Sequence, residues 1–182
     1  QLGLHRLEQL AFLEADMRRQ EVGEACQDRG IGLRELRHQG AQLGVLPLRA
    51  LDQRRPGGIA IRQQALDYLR KVLAPKRFHE ALSAAEELAR NLSRTELTLF
   101  IGAILLFLQD TFHRCITPGF ANLNNPDIAD AVDRFARNFP KADYLGVSVL
   151  AEETIRSIER NASPQLTMAA FTGSLRPLLE GA

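Results

Sequence analysis

Apolar residues recur along this chain at the three- and four-residue intervals of an α-helix, almost from end to end. Leu4, Leu7, Leu10, then Leu13 or Ala11, and Met17 mark a first amphipathic stretch, extended by Val22 and Cys26 and broken by "QDRGIG". A shorter helix is expected from about Leu33 to Leu43. Gly44 to Pro47 then turns the chain, and Leu48-Arg49-Ala50-Leu51 starts a further helical piece. "DQRRPGGIA" (Asp52 to Ala60) carries Pro56-Gly57-Gly58 and is the best boundary candidate, either a linker or an exposed loop. Beyond it, Ala65, Leu66, Leu69 and Val72 share one side of a helix over Gln63 to Leu73. Pro75 is expected to open the next helix, which aligns Phe78, Leu82, Ala85, Leu88 and Ala89.

The most apolar stretch follows, "SRTELTLFIGAILLFLQDTFHRC" from Ser93 to Cys115. Between Leu97 and Leu108 only Thr98 and Gly102 interrupt it. Crossing a bilayer takes roughly 20 mostly apolar residues, and this run reaches Gln109-Asp110 well before that. The length predicts a buried helix of a soluble protein. Ser93 and Glu96 have the spacing of a capping box, in which the serine accepts the third helical amide and the glutamate reaches back. A helix apolar nearly all round needs neighbours nearly all round, so this one should be a central rod. Downstream, Asn125-Pro126-Asp127 reads as a capped helix start, followed by Ile128, Val132, Phe135 and Phe139 and a stop at Pro140. Two more helices are expected, from Tyr144 to Arg160 and from Ser163-Pro164 to Gly181. No alternating strand pattern occurs. The expectation is an all-α chain, with a small helical subdomain over 1–56 and a five- or six-helix bundle over 61–182.

Charge narrows the function classes. The 182 residues include 23 basic and 22 acidic side chains, a net charge of +1, whereas a domain that grips a nucleic-acid backbone shows a basic excess. Aromatic residues make up 6% with no tryptophan, and they sit at core spacing, which argues against a base-stacking platform. Cys26 and Cys115 lie far apart and are expected as reduced, buried thiols. The N-terminal "QLGLHRLEQL" mixes charge with leucine, unlike a signal peptide, so Asn91-Leu-Ser and Asn161-Ala-Ser are read as accidental glycosylation patterns.

Chemistry-bearing motifs are scarce. The chain has no GxxxxGK[ST], no GxGxxG, no HExxH and no GxSxG. His5, His38, His79 and His113 stand apart, although His113 could pair with Asp110 one turn away. Glu86-Glu87 and Glu152-Glu153 are adjacent on helices and therefore point about 100° apart, the mark of solvated faces. Three outcomes remain open at this level. A packed bundle would serve as a partner-binding module. An enclosed pocket beside Phe100, Phe107 and Phe112 would suit a ligand-sensing regulatory domain. A cleft joining Asp110, His113 and Arg114 would suit an enzyme.

Three stretches add a resemblance. "EVGEACQDRGIGLRELRHQGAQLGVLPLRAL" (Glu21 to Leu51) resembles the lid of an AAA+ clamp-loader subunit, whose third helix opens with G-x-x-P-x-R-A-L, here Gly44-Val45-Leu46-Pro47-Leu48-Arg49-Ala50-Leu51. "LLFLQDTF" (Leu105 to Phe112) is similar to the central helix of that family's collar, and "IERNASPQLTMAAFTGSLRPLL" (Ile158 to Leu179) to its final helix. Together they resemble bacterial DNA polymerase III clamp-loader subunits, with the Pro47-x-Arg49-Ala50-Leu51 form leaning toward the delta prime branch. The gamma/tau branch has the same layout. The resemblance implies an AAA+ lid-like subdomain followed by a collar. It implies a cytoplasmic, non-catalytic role in assembling the pentamer that places the sliding clamp on DNA during replication. Its implied partners are the gamma/tau and delta subunits, with DNA reached only through the assembled complex and no membrane contact. No cofactor, metal or catalytic residue is implied. Arg49 falls where nucleotide-binding relatives place a lid arginine, and is carried over as a packing or vestigial residue.

Overall fold

The computed structural model describes residues 56–117 and 119–181. The expected helices, lid-like subdomain, Cys26 and Arg49 before residue 56 lie outside the described residues. Within them the chain is helical, with no strand. The elements are α1 (Pro56–Leu73), α2 (Phe78–Asn91), α3 (Arg94–Ile116), a 3-10 turn (Pro126–Ile128), α4 (Ala129–Asn138), α5 (Tyr144–Glu159) and α6 (Pro164–Glu180).

Helix α3 organises the bundle. It packs against α1, α4 and α5, while α6 packs against α5, α2 and α1, and α2 also lies on α1. From Leu97 to Leu108 every residue but Leu99 is buried, with Leu97, Phe100, Ile101 and Ile104 fully so. The capping box forms as its spacing requires: Ser93 accepts from the Glu96 amide, and the Ser93 backbone N–H donates to the Glu96 carboxylate at 2.8 Å. The helix runs further than its apolar core, to Ile116, because Phe112, Cys115 and Ile116 renew the apolar pattern after the polar step. Its 23 residues make a rod about 35 Å long. That length and composition match a bilayer span, yet here the rod is wrapped by other helices.

Three local expectations are corrected. Pro56-Gly57-Gly58, read as a linker or loop, is the opening of α1. Proline at a first helical position sacrifices no hydrogen bond, and burial of Ala65, Leu66, Leu69 and Val72 further along outweighs the roughly 1 kcal/mol cost of each glycine. Helix α2 opens at Phe78 rather than Pro75, because the chain first passes through a turn in which Lys76 takes φ = 62°. Asn125 does not cap a helix with its side chain. That amide is engaged elsewhere, as described below.

Helix ends are secured by tertiary as well as local contacts. Arg94 donates to the Ile158 and Ala162 carbonyls at 2.9 and 3.0 Å, tying the start of α3 to the end of α5. Asp143 caps α5 through the Gly146 amide, and its own N–H donates to Leu178 on α6 at 2.7 Å.

Candidate functional site

Asp110 sits in the rod two positions after the apolar run and is fully buried. Both of its carboxyl oxygens are used. Oδ1 accepts from the Asn124 backbone N–H and Nδ2 at 2.7 and 2.9 Å, and Oδ2 accepts the matching pair from Asn125, both at 2.8 Å. A buried acceptor must be satisfied, and the loop after α3 folds back to satisfy it. Asn125 then offers its Oδ1 to Arg62 of α1 at 3.4 Å, while Arg62 forks onto both Asp127 oxygens at 2.9 Å. The Arg62 hydrogen bond holds the Asp127 carboxyl below its ordinary pKa. This chain of contacts locks α1, α3 and residues 124–127 together.

The proposed catalytic trio does not converge. Asp110 is committed to the two asparagines. His113 is exposed and stacks on Phe120, with ring centres 4.6 Å apart. Arg114 turns to Asp133 of α4 at 3.2 Å. Glu86, Glu87 and Glu153 face solvent, and Glu152 is spent on Arg156. Cys115 is half-buried, its Sγ 3.7 Å from the Ala136 carbonyl and from the Tyr144 hydroxyl. Among the described residues no cluster of three or more His, Cys, Asp or Glu side chains could hold a metal.

A groove of about 370 Å³ lies between α1 and α4, open to solvent. Leu66, Leu69, Arg70, Leu73 and Ala74 form one wall, and Ala131, Arg134, Phe135, Asn138 and Phe139 form the other. The two stripes have identical spacing, at steps of three, four, seven and eight residues, so each is a helical face continued one residue past the helix end, by Ala74 after α1 and Phe139 after α4. Phe107 of α3 supplies the floor. It meets Phe135 edge-on at 5.3 Å, and Phe135 contacts Phe139 at 4.6 Å. Phe107 was placed beside a pocket from the sequence. Phe100 and Phe112 are not in this lining, since Phe100 packs on Tyr68 and Phe112 on Tyr144.

Of the groove's walls, Leu66, Leu69, Phe135 and Phe139 were read from the sequence as the apolar sides of their helices. The missed signal is that Leu73 at the end of α1, Phe135 of α4 and Phe139 just after it are half-buried and belong to apolar faces wider than one neighbour covers. Both helices lean on α3 and bury Phe107, but leave an open groove between them.

Compared with models of protein families, with curated proteins and with solved structures, the chain finds no match in any of the three.

Proposed function

We propose that this chain is a non-catalytic helical assembly module, and that its setting is a bacterial DNA polymerase III clamp loader of the delta prime type. The observation that supports an assembly role is the open groove between α1 and α4, where Leu73, Phe135 and Phe139 stay partly exposed on the outside of a bundle with a continuous buried core. The clamp-loader setting rests on the three sequence stretches that resemble its lid and collar. In that setting the partners are the gamma/tau and delta subunits, and DNA is reached through the assembled complex.

Size-exclusion chromatography of the chain with purified gamma/tau and delta subunits tests the setting. Co-elution in a larger species is expected; elution of the chain alone across the micromolar range would refute it.

The groove volume also lends weight to a ligand-sensing domain, since small-molecule sites begin at about 300 Å³. Such sites enclose most of their ligand, whereas this groove is open to solvent, and that difference favours a macromolecular partner.

A further inference from the structure

Building on the reading of the chain as an assembly module, we propose that the α1/α4 groove seats a single amphipathic helix of a partner protein, one that carries carboxylates on both flanks of its apolar stripe. Each wall spans seven helical steps, from Leu66 to Leu73 and from Ala131 to Asn138, or about 10 Å at the helical rise, with one residue beyond. That is a seat two helical turns long, matched to the i, i+3, i+4, i+7 anchors of a helix laid in a groove. Leu73, Phe135 and Phe139, each half-buried, give such anchors aromatic and leucine surface.

Charge identifies the occupant's flanks. The lining holds two guanidinium groups, Arg70 on one wall and Arg134 on the other, and no carboxylate. Arg134 is exposed and has no ion pair among the described residues. Arg70 pairs with Asp67, but both side chains are more than half exposed, and a pair of that kind is worth little. A partner carboxylate can therefore take it over. Helix α2 of a second copy does not supply the occupant. The acidic α2, with Glu86 and Glu87 outward, has already buried its apolar stripe of Ala81, Ala85 and Ala89.

The test is fluorescence polarisation of a labelled 18-residue designed helix, with leucine anchors and glutamate flanks, titrated with the full chain. A twin peptide with lysine flanks serves as the comparison. The glutamate peptide should bind about tenfold tighter, less so at high salt. The double variant Arg70→Glu, Arg134→Glu should reverse the preference while its circular dichroism stays unchanged, both residues being exposed. Equal binding of the two peptides, or no binding, overturns the proposal. So does occupation of the groove by decanoate in place of the peptide, or by a second copy, seen as self-association in sedimentation that Arg134→Glu abolishes. The two readings fail separately. Peptide binding without gamma/tau or delta co-elution keeps the groove and removes the clamp-loader setting. Co-elution without peptide selectivity does the reverse.

Discussion

Asp110 interrupts the most apolar helix of the chain with a carboxyl group that water does not reach. A polar group in such a place costs several kcal/mol unless it is hydrogen-bonded. Here four N–H donors from two adjacent asparagines surround it at 2.7–2.9 Å. Asp110→Ala should therefore cost about 3–4 kcal/mol, more than the loss of one bond, because it leaves the buried Asn125 amide without its acceptor. Asp110→Asn should cost nearly as much, since one oxygen becomes a donor aimed at donors. Urea denaturation followed by circular dichroism measures both. A loss under 1 kcal/mol would mean the loop holds its place without Asp110. The sequence made Asp110 conspicuous but left its partner open. A one-turn pairing with His113 was the local option, and the loop 14 and 15 residues away won because it brings four donors and His113 brings at most one. No periodicity encodes that choice.

At the scale of elements, α3 was the most legible feature. Its cap, its start and its burial followed from Ser93, Glu96 and a run of side chains that no single neighbour could cover. Leu105 lies in the middle of that run and is 3% exposed. Leu105→Asp places an unpaired charge there, at a cost of several kcal/mol against a total stability of roughly 5–15 kcal/mol. Loss of the cooperative thermal transition is expected; a variant that melts like the parent would remove α3 from the centre of the bundle. Helix α4 was less legible. Its start was assigned to Asn125, but Asp110 claims that side chain, and the helix begins four residues later, after a 3-10 turn pinned by Arg62 and Asp127. A capping residue has one side chain, and a stronger tertiary claim on it moves the helix end.

At the scale of the molecule, both tyrosines of the chain lie in interhelical seams. Tyr68 of α1 bonds to Thr172 of α6 at 2.6 Å, and Thr172 donates onward to the Met168 carbonyl at 2.6 Å, so Tyr68 is the donor in the first bond. Burial pushes the Tyr68 phenol up to about 12 and raises that of Tyr144 also. The folded state thus favours the neutral phenols. Their contribution to stability is complete below the unfolded value near 10 and is lost as pH rises from there through the folded values. Tyrosinate absorbance should stay absent from the native protein at about pH 10.5 and appear together with loss of helical signal. Ionisation near pH 10 with the helices intact would place the rings in water. What the sequence determined by itself is the helical class of the described residues, the central rod and its cap, because spacing and side-chain chemistry act within a turn or two. What only the tertiary structure decided is which polar groups meet across the bundle, and that α1 and α4 leave a groove between Leu73 and Phe135. An apolar stripe states that a face must be covered, and the packing of whole helices determines whether this chain covers it or leaves it for a partner.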